Sequence, residues 1–129
     1  MENKEIYDLL KSMELVLDNG FPLVCGSYVI VKSKEVLGII DKIELAIPPE
    51  IQEAHAYGMH NGSADFRSVY EIADNMRAVV NTSVSLFLGM FAVIDLRKIL
   101  PLVDEMYARV PVELVEARAF LNEKRWVFE

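Results

Sequence analysis

The chain has a single cysteine, Cys25, so it can form no internal disulfide and no multi-cysteine metal site. That usage suits a reducing compartment. Positive charge is also scarce: 13 Lys and Arg stand against 20 Asp and Glu, a net charge of −7 with a pI near 4.8. General binders of nucleic acid or of anionic membrane surfaces need a field of cations to displace counterions, and neither partner is expected here. Long hydrophobic runs are missing. The longest, Val84 to Ile94, is 11 residues, whereas a bilayer span needs about 20, so no transmembrane segment is expected. The opening MENKEIYDLL places acids where a signal peptide carries bases, which points to a cytoplasmic location. Sequence motifs for chemistry are equally sparse. His55 and His60 are not in HExxH register, and no GxSxG, P-loop or GxGxxG occurs, so no cofactor, metal site or catalytic residue is assigned and no enzyme is expected.

What is present is apolar and ordered. Of 129 residues 53% are hydrophobic and the mean hydropathy is +0.24, the opposite of a disordered composition. A chain of this size makes one domain and can bury about two thirds of its unfolded surface.

The chain also aligns on itself. Residues 5–57 match residues 68–120 without a gap at an offset of 63, with identities at Tyr7/Tyr70, Met13/Met76, Gly26/Gly89, Asp41/Asp104, Pro48/Pro111, Glu50/Glu113, Glu53/Glu116 and Ala54/Ala117. Residues 58–67 are a turn-rich linker between the copies, and 121–129 are a C-terminal extension. Each copy reads as helix, β-hairpin, helix, helix. Ile6, Leu9, Leu10, Met13, Val16 and Leu17 recur at helical spacing, and their partners Val69, Ile72, Ala73, Met76, Val79 and Val80 are all apolar. Asn3 is a candidate N-cap and Gly20 a candidate stop for the first helix. Two apolar runs then flank Gly26-Ser27 and Gly89-Met90, which predicts two-residue hairpin loops with glycine first. Ser33 and Asp95 are candidate caps of the next helix, and Pro48 and Pro111 are expected to separate it from a third. Gly38/Pro101 suggests a close approach or a kink.

The expected fold is therefore α+β, a tandem repeat with pseudo-twofold symmetry. Both faces of each hairpin are apolar, so both need cover. One face, carrying Val24, Val29, Val31, Phe87, Ala92 and Ile94, is the expected interface with another chain.

The stretch Tyr28 to Ile43, followed by Ala46-Ile47-Pro48-Pro49-Glu50-Ile51 and Glu53-Ala54, resembles the N-terminal module of bacterial ATP synthase B-like or DivIVA-like proteins. That family carries an initial helix, a small hairpin with a valine-rich strand, a Leu-Leu-Asp helix and a Leu-Pro-x-Glu-Ile entry into a coiled coil. The resemblance implies a non-catalytic assembly module. Here no heptad coiled coil follows, and a second copy takes its place. The reading that results is a cytoplasmic protein-interaction or scaffold module acting through oligomerisation, with itself or with another protein. The alternative is a small-ligand-binding regulatory protein with an apolar cavity between the repeats. Paired acids, Asp41/Asp104 or Glu53/Glu116, are the remaining route to acid/base chemistry. The more ordinary expectation is that they lie on solvated helix faces.

Overall fold

A computed structural model describes residues 3–23, 26–59 and 68–128, with side chains as far as residue 124. The elements in order are α1 (Lys4–Asp18), β1 (Phe21–Pro22), β2 (Tyr28–Lys32), α2 (Ser33–Leu45), α3 (Pro49–Ala56), α4 (Val69–Asn81), β3 (Val84–Leu86), β4 (Phe91–Asp95) and α5 (Leu96–Phe128). The fold is α+β: among the described residues, five helices and one four-stranded antiparallel sheet in the order β1-β2-β4-β3.

The first helix forms where the apolar spacing puts it. Ile6, Leu10, Met13 and Leu17 are buried on one stripe, and α4 does the same with Ile72, Ala73, Met76 and Val80. Asn3 precedes α1 in a left-handed conformation and its side chain makes no capping bond. The helix ends before Gly20, whose role is spatial: a Cβ there would lie 2.3 Å from Val29 Cγ2 and 2.8 Å from Val31 Cγ1.

The two hairpins meet through their inner strands. Tyr28 pairs with Asp95, Ile30 with Val93 and Lys32 with Phe91, and the ladder continues into the helices, because the Ser33 N–H donates to the Met90 carbonyl and the Leu96 N–H to the Ser27 carbonyl. The hairpin registers differ from those that two-residue loops require. Phe21 pairs with Ile30 and Leu86 with Phe91, a shift of two residues in each hairpin. A slip of two along a strand leaves every side chain on its original face, and the apolar pattern therefore does not fix it. Gly26 and Gly89 do take the positive φ expected of them, at 72° and 86°. Val24 and Cys25 lie outside the described residues, as do His60 and the rest of 60–67.

One helix expected to end at a proline does not. Pro48 is extended, with φ −51° and ψ 138°, and parts α2 from α3, whereas α5 runs through both Pro101 and Pro111. The difference lies one residue on. Pro49 pushes the residue before it out of the helical region, while Val112 exerts no such constraint on Pro111. Gly38 is not a close approach either, since a Cβ there would meet open space. The helices cover one face of the sheet, where Val29, Val31, Ala92 and Ile94 join a single apolar core with residues from all five helices. No helix among the described residues is long and apolar enough to cross a membrane.

Candidate functional site

Two regions carry chemistry that the core does not use: a buried polar cluster among α3, α4 and α5, and the sheet face opposite the helices.

The polar cluster centres on Glu113, whose side chain has no exposure at all. Its Oε1 accepts from the Val69 N–H at 3.1 Å, and Ser68 Oγ accepts from the Tyr70 N–H at 3.1 Å, so two side chains satisfy the first turn of α4. His55 Nε2 lies 3.2 Å from Glu113 Oε2 and 3.3 Å from Ser68 Oγ. Arg109 reaches Glu113 at 3.4 Å and Glu116 at 2.8 Å. The Tyr70 ring meets the His55 ring edge-on at 4.9 Å, and its hydroxyl pKa is raised by burial and then by the nearby charges of Glu113 and Glu44.

Serine, histidine and carboxylate in contact suggest a hydrolytic relay, but this geometry is different. A relay divides the two imidazole nitrogens between carboxylate and hydroxyl, so that one orients while the other takes a proton. Here both partners share Nε2, which cannot donate to Glu113 and accept from Ser68 at once. What the cluster does is pin three helices together. Alignment of His55 with Arg118 predicts a position on the helix surface; His55 is instead about one quarter exposed and engaged with Glu113.

The paired acids are not brought into one site. Asp41 accepts from Arg77 of α4 at 2.6 Å, in a fork whose other arm reaches Glu44. These bonds raise the Arg77 pKa, Glu44 contributing most. Asp104 lies instead on the side of Tyr107, whose hydroxyl pKa is raised by burial and then by Glu14, Asp104 and Asp8. Glu53 is exposed and Glu116 is bound to Arg109. Among the described residues no three potential metal ligands cluster.

The sheet face is the other region. Four of the six expected interface residues, Val29, Val31, Ala92 and Ile94, are no more than 4% exposed because they face this chain's own helices. That corrects the expected side: with both faces apolar, alternation could not say which one the helices would take. Val24 lies outside the described residues, and Phe87 is exposed in the 87–90 loop. The open face carries Phe21, Tyr28, Ile30, Val84, Leu86, Phe91 and Val93, with Lys32 and Asp95 as its charged strand residues, and the Arg97 guanidinium, paired with Asp95, lies over the Tyr28 ring and donates to its hydroxyl. Phe21 and Val84 are largely exposed and the central residues half-buried. At one corner a groove of about 530 Å³ is lined by Leu15, Phe21, Ile30, Lys32, Glu35 and Phe91; at the diagonal corner one of about 160 Å³ is lined by Tyr28, Val84, Val93, Asp95 and Lys98.

The 87–90 loop adjoins this face, with Phe87 edge-on to Phe91 at 5.7 Å. Phe87 and Leu88 hold φ of 53° and 59°, and Leu88 is wholly exposed. Left-handed backbone at such residues costs on the order of 1–3 kcal/mol each. The strain presents three apolar side chains, Phe87, Leu88 and Met90, to solvent.

No protein-family model, curated protein or solved structure matches the chain.

Proposed function

We propose that this is a non-catalytic cytoplasmic protein-interaction module, built as a tandem duplication with pseudo-twofold symmetry and acting by oligomerisation. The observation that carries the interaction reading is the open sheet face. An antiparallel sheet with one wet side normally alternates apolar with polar residues. Here the wet side is almost wholly apolar across four strands, which in a stable domain marks a surface that another protein covers.

Several observations support the duplication. Every buried hydrophobic residue of residues 3–59 except Met59 has a buried counterpart 63 positions on. The β2–β4 ladder is centred on Ile30 and Val93, themselves 63 apart. His55–Glu113 corresponds to Arg118–Glu50, so the same two positions are joined in both directions between the copies by a contact of a basic residue with a glutamate. The likeness to scaffold N-terminal modules agrees with an assembly role. The ligand-binding alternative finds less support. The cavity of about 350 Å³ where α1, α3 and α5 meet is lined by Lys4, Glu5, Glu50 and Arg118 as well as by Ile6, Pro48, Pro49 and Leu114, a mixed wall in place of the apolar one that reading needs.

A photo-crosslinking residue placed at Ile30 should give covalent products with another chain, in the purified protein or in extract of its own cells, and one placed at exposed Glu53 should not. Absence of any Ile30 product in both settings, or equal products from the two sites, would overturn the reading.

A further inference from the structure

We propose that the larger groove at the corner of the open face binds a free α-amino acid with a large apolar side chain, its carboxylate on Lys32 and its ammonium on Glu35. The inference goes beyond the interaction reading and does not rest on it. The groove is also a different site from the cavity where α1, α3 and α5 meet.

Two grooves are built from the same positions. Every residue lining the groove of about 160 Å³ stands 63 positions from one lining the groove of about 530 Å³. In the smaller groove the chain meets its own charge. Asp95 is paired with the Arg97 guanidinium, which also lies over the Tyr28 ring at 5.6 Å and donates to its hydroxyl. Asp95 Oδ1 accepts from the Arg97 backbone N–H as well, so a carboxylate closes the start of α5. The larger groove has no such closure. Lys32 stands where Asp95 does, Glu35 where Lys98 does, and Phe91 where Tyr28 does. Lys34, in the place of Arg97, brings a second cation and no anion. No side chain caps α2, and neither Lys32 nor Glu35 forms an ion pair among the described residues.

What the larger groove lacks defines what it takes. Its volume lies within the range of about 300 to 1,000 Å³ usual for small-molecule sites. Lys32 and Glu35 are the charged residues on its wall among the described residues, and both are exposed. A simple anion would be repelled by Glu35 and a simple cation by Lys32, whereas a zwitterion pairs with both. A ligand carboxylate on Lys32, at the uncapped start of α2, would take the part that the Asp95 carboxylate plays at the start of α5. The rest of the ligand meets Leu15, Phe21, Ile30 and Phe91, which favours a branched aliphatic or aromatic side chain. An amino acid carries all three groups on one carbon. It must be free, because within a peptide chain both of its charges are lost to amide bonds. An open groove with exposed charges binds such a ligand weakly, with a Kd of about 1 mM.

The test is a titration of the full isotope-labelled chain with L-leucine and L-phenylalanine into the tens of millimolar, read by backbone amide NMR shifts. Shifts should saturate at Gly20, Ile30 and Lys32 and be absent at Ser83, Val93 and Asp95. Isocaproate, which is leucine without its amino group, should bind at least fivefold more weakly than leucine. Glu35→Gln should weaken leucine binding at least fivefold without weakening isocaproate, while Lys32→Met should weaken both and Lys98→Met neither. Thermal melts confirm that each variant folds. No saturable shift with either amino acid, or shifts centred on the smaller groove, overturns the inference. Isocaproate that binds as well as leucine, or leucine binding indifferent to Glu35→Gln, overturns the zwitterion. Because the titration uses the purified chain alone, its failure leaves the Ile30 crosslinks to decide the interaction reading separately.

Discussion

Residues 3–59 and 68–128 both run helix, hairpin, helix, but the second stretch continues as one helix where the first breaks at Pro48, and the contrast separates the buried positions they have in common from the polar contacts they do not. Buried apolar positions correspond, Met59, Ile72 and Leu121 excepted. Ile6, Met13, Val36, Ile40, Ile43 and Ile51 stand against Val69, Met76, Ile99, Val103, Met106 and Leu114, every one buried. Caps and ion pairs diverge. The N-terminus of α4 is satisfied by Ser68 and Glu113, while Asn3 makes no side-chain bond to α1. Glu113 is sealed from solvent, whereas Glu50, 63 residues earlier, is 40% exposed beside Arg118. A path maintained by apolar volume tolerates such differences, because a polar contact at a helix end stabilises by about 1 kcal/mol while a filled core position stabilises by several.

The sharpest test of this comparison is the pair of corresponding glutamates. Glu113→Ala removes the acceptor of the Val69 N–H and leaves His55 and Arg109 facing a dry site, so it should cost about 3 kcal/mol. Glu50→Ala removes a partly exposed pair 3.5 Å long and should cost less than about 1 kcal/mol. Urea denaturation measures both, and equal losses would show that burial does not distinguish the two sites.

A smaller effect is expected where the halves have exchanged volume. Gly20 lies against Val29 and Val31, and at the corresponding positions stand Ser83, Ala92 and Ile94. One half has no side chain facing a valine, and the other has a serine at the position where its strand carries only alanine. Gly20→Ser should therefore destabilise by about 2 kcal/mol through overpacking. Adding Val29→Ala removes the 2.3 Å clash and should recover about half of that loss, a favourable coupling of about 1 kcal/mol in the double-mutant cycle. Additive losses would mean that the two positions are not exchanging volume.

How much of this was legible in the sequence follows from the same distinction. Helix stripes were legible, because Ile6, Leu10, Met13 and Leu17 repeat at a period only a helix satisfies. The inner strands were legible too, and so was the positive φ at Gly26 and Gly89, whereas the outer strands stop early, at Pro22 and Leu86. The covered face was not: Val29 and Ile30 are equally apolar, so nothing local told which one faced the helices. Nor was the hairpin register, since a two-residue slip is silent in a period-two pattern. The continuity of α5 turned on one residue, Val112 in place of a second proline. The Glu113 cluster left a faint signal, an identical Glu50/Glu113 pair with a basic residue, His55 or Arg118, at the other partner position. It was hidden because His55 looked like a surface residue and no local pattern buries a lone glutamate.

The smallest effect concerns the cap of α5, where the two stretches carry different side chains, Lys32 and Asp95, just before the helix. Asp95 accepts from the Arg97 N–H at 3.0 Å, while α2 begins at Ser33 after Lys32 with no side-chain cap. The Arg97 side chain, chiefly through its hydrogen bond, holds the Asp95 carboxyl below the ordinary carboxylate range, with the Arg97 backbone N–H adding to the effect. A folded-state pKa below the unfolded one stabilises the ionised form, so the contribution is fully present above the unfolded value and is lost as pH falls through the folded one. Wild type should therefore lose this increment of Tm in acid below about pH 4. Asp95→Asn, which keeps a capping oxygen but no charge, should start with a slightly lower Tm at neutral pH and show a shallower decline. Because Lys32 at the corresponding position has no carboxyl to protonate, Lys32→Asn should leave the slope of that acid decline unchanged. Parallel declines for wild type and Asp95→Asn would place the acid sensitivity in other carboxylates and remove the cap from the comparison.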